Sequence, residues 1–523
     1  MKKILLLTSV SLALCSQSAA AQDSPAETDF EKGILLVNEG WFGNDPGSIN
    51  FLGYNGEIQY HLFETVNPGR HIGTTTESGA CFGNKVFTVS KFNTDGAFIT
   101  AINASTFEFI GGITEIPAKQ AYFLCPVNEA KGYLSTNDGL FLVDLESLTV
   151  GKKIERQGMA SGQFGQALRY GEYVFVVSQR NGVVVIDCET DEVADVLDIA
   201  SAEAMAVTAD GSLYVATGNA AGEFIKINPT TLQTETIDID ATNAKLPSPW
   251  QTWTMSPLAA DKTDNILYYA TKAYNCSTIS KYDITSGTFT PDFIKLPGTA
   301  DGLDANRILY GQGISVDPVS GDIVILAVEA GYGDHYEKNW VYFADAATGA
   351  IKTDKTVTLD PYYWFPAQAL YPDFKAPEIS IEDIKLKIGT PEGEESSKEI
   401  VMRDITTLYA GNPHLINYSA SIADGDICTL TETYPGCYHI EGKETGTTTF
   451  TLRAEYQGKS SETTVDVTVD EFVGLDEINE ESDFHHDVYT PSGALMMRNA
   501  SVSDLKALPA GLYIHGNRKI AIF

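Results

Sequence analysis

The sequence predicts an all-β protein: a seven-bladed β-propeller over residues 30–375, a small β-sandwich over 376–470, and a short β segment closing the chain. Three observations carry that prediction. The chain has 25 Tyr, 24 Phe and 5 Trp alongside 45 Gly, a mixture that suits short strands joined by tight turns. A unit of roughly 40 to 50 residues recurs over the first two thirds of the chain, and each copy is too small to bury its own apolar face, so the copies must stack. After Lys375-Ala376-Pro377 the unit disappears and plain alternation of apolar and polar residues takes over. At 523 residues the chain also exceeds what one core usually supports.

The first 21 residues read as a signal peptide. Lys2 and Lys3 supply the charged region, residues 4–14 the apolar one, and Ala19-Ala20-Ala21 the cleavage site. Cys15 offers a lipoprotein reading instead, but Leu14 stands before it where a small residue is wanted. No other segment approaches the ~20 apolar residues of a membrane-spanning helix. The expected destination is the outer-membrane surface or the medium, with the periplasm a lesser option. A formal charge of −35 repels nucleic acid over most of the surface, and solubility outside the cell accounts for it most simply.

Each repeat has an apolar strand, a Gly/Asn/Asp turn, a second strand, a polar loop, and a strand ending in Asp or Asn. Three copies show it well. One runs from Tyr170-Gly171-Glu172 to Asp187, one from Ala209-Asp210-Gly211 to Asn228, and one from Lys131-Gly132 to Asp144. Four short antiparallel strands per copy indicate propeller blades. The first copy, 33–63, holds only about three strands. Its missing innermost strand is supplied by Pro366-Ala367-Gln368-Ala369-Leu370, which matches the inner-strand pattern of Gly165-Gln166-Ala167-Leu168 and Gly311-Gln312-Gly313-Ile314. Such closure leaves no exposed inner edge. Seven blades result; six or eight remain as alternatives.

The alternating segment 376–470 suits a small sandwich resembling bacterial Ig-like modules. Within it Cys428 and Cys437 flank a turn-like Pro435-Gly436, so a cross-strand disulfide is one expectation and two free thiols the other. The acidic stretch 477–483 reads as a linker. The last segment, 484–523, contains Val488-Tyr489-Thr490-Pro491-Ser492-Gly493 and Pro509-Ala510-Gly511-Leu512-Tyr513-Ile514. These words resemble the C-terminal sorting domains of type IX secretion substrates.

In a propeller the loops between second and third strands, and the links into inner strands, share one face, where the channel opens. Strand order alone therefore places Trp41, Phe42, Asn44, Lys91, Asn93, Gln179, Arg180, Trp250, Tyr274, Tyr332, Tyr363, Trp364 and Phe365 on one candidate binding face. Aromatic rings there supply apolar contact area and the amides fix orientation. Trp41 and Trp364 are the expected central contacts, while Trp253 and Trp340 are expected to wedge between blades. Catalysis is not expected. His61, His71 and His335 fall in different blades, and no zinc-type or phosphate-cradling motif occurs. Gly79-Ala80-Cys81-Phe82-Gly83 has the spacing of a nucleophile elbow but joins two strands rather than a strand and a helix. Asp334 beside His335 is the one charged couple on the face. No metal or cofactor is expected.

The opening Val37-Asn38-Glu39-Gly40-Trp41-Phe42-Gly43, with Gly47-Ser48-Ile49 and the closing Tyr363-Trp364-Phe365-Pro366, resembles a family of YncE-like, surface-layer-type propellers. Trp41 departs from that pattern, which usually has a shorter polar residue. Some members of the family capture cobalamin at the cell surface and pass it to a TonB-dependent outer-membrane transporter. The resemblance thus implies an exported ligand-binding propeller, with a corrinoid as the ligand class and such a transporter as partner. The alternative is a structural or adhesive surface protein that uses the same face for protein or glycan contact.

Overall fold

A computed structural model describes residues 29–218, 223–239, 256–261, 263–272, 275–372, 375–389, 395–409, 411–471, 485–516 and 518–522. The signal-peptide segment with Cys15, and the linker 477–483, lie outside them. Within residues 33–370 the described residues form seven four-stranded antiparallel sheets. In each, the strands lie side by side in chain order, as in Phe164–Tyr170, Tyr173–Ser178, Gly182–Asp187 and Glu192–Leu197. The first sheet is the exception. Its innermost strand is the last of the series, Pro366–Leu370, which pairs with Gly33–Asn38 through Leu35 opposite Leu370 and Val37 opposite Gln368.

Successive sheets pack face to face around a closed, propeller-like ring. Leu35 and Phe51 of the first sheet meet Val86 and Ile102 of the second, and similar clusters join each following pair. The ring closes where Val324, Leu326, Val341 and Phe343 of the seventh sheet meet Ile34, Leu36 and Leu52 of the first.

The Asp or Asn at the end of the third strand, in six of the seven sheets, has a physical cause. Asn103, Asp144, Asp187, Asn228, Asp283 and Asp345 each accept hydrogen bonds from backbone N–H groups two or three residues on, closing the turn to the outer strand. The fourth residue after each one has a positive φ: Phe107, Leu148, Asp191, Leu232, Gly287 and Gly349. The same hydrogen bonds hold the carboxyls of Asp144, Asp187 and Asp283 below the ordinary range. The recurrent inner-strand glutamine also has a role. Gln166 exchanges two hydrogen bonds with the backbone of Met205 in the next inner strand, and Gln368 accepts from the Gly79 amide at 2.8 Å.

Residues 378–471 fold as two facing sheets. One orders Ile384–Ile388, Lys459–Glu471, Gly446–Tyr456 and Asn417–Ile422, and the other Ser397–Val401, Cys437–Gly442 and Cys428–Tyr434. Their shared core includes Leu386, Ile440, Phe450 and Val467. The expected disulfide does not form: Cys428 and Cys437 are both free. Pro435-Gly436 does make the turn, with Gly436 at φ +77, but the register sets Cys437 opposite Tyr434 and Cys428 opposite Gly442. Residues 486–522 form a separate four-stranded antiparallel sheet with its own small core of Val488, Leu505, Tyr513 and Ile520.

The sandwich docks under the ring, on the face formed by the turns between first and second strands. Its own turn, Gln457-Gly458, has both residues at positive φ, as a two-residue hairpin requires. That turn meets the Gly83-Asn84 turn, where the Gly83 amide donates to the Gln457 carbonyl at 2.8 Å. A side chain on Gly458 would meet Phe82 at 2.6 Å. Asn412 donates to the carbonyls of Val207 and Thr208, and Arg169 pairs with Glu455.

Candidate functional site

The opposite, upper face carries the loops between second and third strands. Residues 39–47 are tied to the final link of the ring: the Glu39 amide donates to the Phe365 carbonyl and the Gly40 amide to that of Trp364. This juxtaposition stacks Trp41 on Tyr363, with ring centres 4.6 Å apart and planes 17° off parallel. The aromatic row continues from Tyr363 to Phe365, then to Tyr336, and ends at Tyr332. Trp41 is 43 % exposed, Phe42 64 % and Tyr332 88 %. Isolated exposed apolar residues are ordinary, whereas these rings adjoin one another.

Beneath the row lie buried carboxylates. Glu39 accepts from the Tyr310 hydroxyl at 2.6 Å, and Tyr310 in turn packs on Phe365. Burial, and then the negative charge of Glu77, push the Glu39 carboxyl well above the ordinary range. Glu77 is paired with Lys91 at 2.7 Å. Glu203, at the upper end of another inner strand, is buried; its Oε2 has no hydrogen-bond partner among the described residues. Burial pushes its carboxyl up to about 8. Glu329 behaves oppositely. Burial acts against its charge, but hydrogen bonds from Lys338, His335 and Arg307 outweigh that and hold it below the ordinary range. Arg307 also lies 3.7 Å above the Trp340 ring. The upper face therefore carries exposed rings near the Glu39–Glu77–Lys91 and Glu329 groups, while Glu203 is buried in the fifth sheet.

The family profile described as Domain of unknown function (DUF5074) matches residues 32–372. The chain belongs to this family. No curated protein matches it. Among solved structures, a quinoprotein alcohol dehydrogenase-like protein from Bacteroides thetaiotaomicron is 19% identical, with 66% of this chain and 79% of that one covered at a TM-score of 0.48. Apo AztD from Citrobacter koseri is 15% identical, covering 67% and 86% at 0.38. The Cps50 (Swd1) β-propeller domain from Myceliophteria thermophila is 12% identical, covering 63% and 94% at 0.41.

Within this DUF5074 ring the thirteen residues expected at the site separate into groups. Trp41, Phe42, Tyr332 and Tyr363 stand together on the rim, and Lys91 lies near them in its ion pair with Glu77. Asn44 and Asn93 are exposed but spend an amide N–H on the carbonyls of Phe42 and Thr114. Gln179 and Arg180 are exposed on the fourth sheet, and the Arg180 stem lies against Gly162. Trp250, Trp253 and Tyr274 lie outside the described residues.

Two placements are corrected. Trp364 is 3 % exposed, stacks on Tyr60 at 5.1 Å and donates its indole N–H to the Asp360 carbonyl. Phe365 is 7 % exposed and packs between Tyr310 and Tyr336. Both are core residues that support the rim from behind. Trp340 wedges between the sixth and seventh sheets with Ile279 and Ile325. His335 turns to Glu329, away from a couple with Asp334. Sequence reading had not singled out Glu39, Glu77, Glu203, Tyr310, Tyr336 or Glu329 as site residues. Of these, Glu39 stood in the opening motif, two residues before Trp41, and Tyr336 in the loop 332–336 expected on the face.

Proposed function

We propose that this chain is an exported, non-enzymatic seven-bladed propeller that captures a ligand on its upper face. The Ig-like sandwich serves as a spacer and the C-terminal sheet as a sorting domain. The observation that carries the reading is the preformed stack of Trp41 on Tyr363, flanked by exposed Phe42 and Tyr332. Rings held in place before binding lose little conformational entropy on contact. The polar groups nearby engage one another, Lys91 with Glu77 and Glu329 with Arg307, His335 and Lys338, which suits holding loops in place more than proton transfer. A large disc edged with amides, such as a corrinoid, fits a rim of rings and exposed amide side chains, and the YncE-like words at both ends of the ring favour it. A TonB-dependent transporter would then take over the cargo.

The 88 % exposure of Tyr332 favours a second reading, adhesive contact with a protein or glycan. Tryptophan-fluorescence titration with cyanocobalamin and with cobinamide, corrected for inner-filter absorption, separates the two. Saturation at one equivalent, lost by about 30-fold in Trp41→Ala (about 2 kcal/mol), supports corrinoid capture. No saturable change with either compound overturns it in favour of adhesion.

A further inference from the structure

The sandwich is fastened to the ring through a histidine whose two ring nitrogens face opposite kinds of partner. Pro413–Leu415 forms a short 3-10 turn of the sandwich. It lies against residues 208–212, which link Ala202–Val207 to Leu213–Thr217 in the fifth sheet. Asn412 donates to the Val207 and Thr208 carbonyls, and its side-chain oxygen accepts from the His414 amide. Leu415 joins the apolar cluster between the fourth and fifth sheets. Gly211, at φ +80, leaves room for the imidazole, since a side chain there would come within 2.4 Å of His414 Nδ1.

His414 Nε2 lies 2.9 Å from the Ala209 carbonyl, and Nδ1 lies 3.1 Å from the guanidinium of Arg403 in the turn Met402–Ile405. A carbonyl only accepts and a guanidinium only donates, so Nε2 carries the hydrogen and Nδ1 is bare. Only the neutral imidazole satisfies both partners. A proton arriving at Nδ1 replaces the acceptor with a donor and sets two cations against each other. Burial, and then the Arg403 charge, hold His414 below the ordinary 6.5, while the Ala209 carbonyl and Asp210 act the other way. The other groups at the turn are Lys226, paired with Asp210 at 3.6 Å, and Tyr170, whose hydroxyl donates to the Gly211 carbonyl.

We propose that this junction is an acid-sensitive latch with His414 as its sensor: neutral imidazole holds the sandwich on the ring, and protonated imidazole loosens it. Once undocked, His414 and Arg403 are solvated separately, and the histidine titrates in the ordinary way. Docking therefore carries no proton penalty above about pH 6.5 and weakens as pH falls through the lower docked value. Loosening uncovers the floor of the ring, where Ala80, Phe123 and Leu370 line a cavity of about 310 Å³ that Leu415 and Tyr456 close from below. The proposal does not depend on what the upper face binds.

Hydrogen exchange read by mass spectrometry on the full chain, at about pH 7.5 and about pH 5, tests the latch, because exchange reports an opening equilibrium even when the open state is rare. The reporter is the Gly83 amide, bonded to Gln457 across the junction. The control is the strand Gly182–Asp187 inside the fourth sheet. The reference chain is His414→Gln, which keeps a donor for Ala209 and cannot titrate. Comparing chains at the same pH cancels intrinsic exchange and every other titrating group. Gly83 of the natural chain should exchange several-fold faster relative to the reference at the lower pH than at the higher, with the control strand unchanged. Arg403→Gln, which keeps His414 but removes the opposing charge, should reduce this dependence even if His414→Gln fails to dock. The same pH response in natural and His414→Gln chains would overturn the latch. So would an undiminished response in Arg403→Gln, or an equal rise in the control strand, which would mean that acid loosens the ring itself.

Discussion

On the upper face of the ring, aromatic side chains stand in solvent above buried carboxylates. On the lower face, the corresponding turns are covered by a second domain whose Asn412, His414 and Gln457 reach ring backbone. The same repeat builds both faces, so the difference lies in loop content. Upper loops such as 39–47 and 330–338 are long and carry rings. Lower turns such as Gly83-Asn84 are short and present backbone groups that another chain segment can satisfy. A face made of short turns suits permanent docking, and a face made of long ring-bearing loops suits exchangeable contact. Substitutions can break this contrast.

The largest effect is expected from Trp364→Ala. The indole is buried, stacked and hydrogen-bonded, so its loss should lower folding stability by about 4 kcal/mol, read as a drop in denaturant midpoint. A change below ~1 kcal/mol would mean that Trp364 belongs to the exposed rim after all. Next comes Glu329→Ala, which leaves the partly buried Arg307 without its carboxylate. A cost of about 3 kcal/mol is expected, and Glu329→Gln should recover part of it by keeping hydrogen bonds.

The contrast between Trp364 and Trp41 also shows what sequence can and cannot disclose. The repeat was legible because its signals are local: an Asp or Asn ending a third strand bonds amides only two or three residues away. Ring closure was legible through the inner-strand glutamine, at Gln166 and again at Gln368. By contrast, Tyr362-Tyr363-Trp364-Phe365 places four aromatics in a row in a link, not a strand, and Phe365 sits at φ +49. The two-residue alternation of a strand does not apply there, so which rings face inward was not readable. The buried acids were hidden for a different reason: Glu39 and Glu77 lie in different sheets and meet only when the first and second sheets pack together. Spacing left the pairing of Cys428 and Cys437 open; a turn of only two residues at Pro435-Gly436 sets the register that separates them.

A third prediction concerns Glu203, whose Oε2 has no hydrogen-bond partner among the described residues. Its carboxyl in the folded state sits at about 8 against an ordinary 4.5. The folded protein therefore keeps a proton that the unfolded chain has released. That contribution is complete below pH 4.5 and is lost as pH rises from there through 8. Glu203→Gln cannot titrate, so the stability of the variant relative to the natural protein should rise between pH 5 and pH 9, by on the order of 4 kcal/mol. Any fixed cost of the amide cancels in the difference between the two pH values. Parallel denaturation curves would show that Glu203 is hydrated.

The smallest expected change in stability is at Trp41. Its ring is 43 % exposed and rests on Tyr363 alone among the aromatic contacts described, so Trp41→Ala should cost under about 1 kcal/mol in folding, roughly the worth of one exposed aromatic pair. Read beside Trp364→Ala, this result sharpens the division of labour within a single rim: one indole holds the link in place and the other is presented to solvent. A loss at Trp41 as large as at Trp364 would make the whole row structural, and the upper face would then have no surface set aside for a ligand. A small loss leaves the Trp41–Tyr363 stack free to be covered by something other than the protein itself.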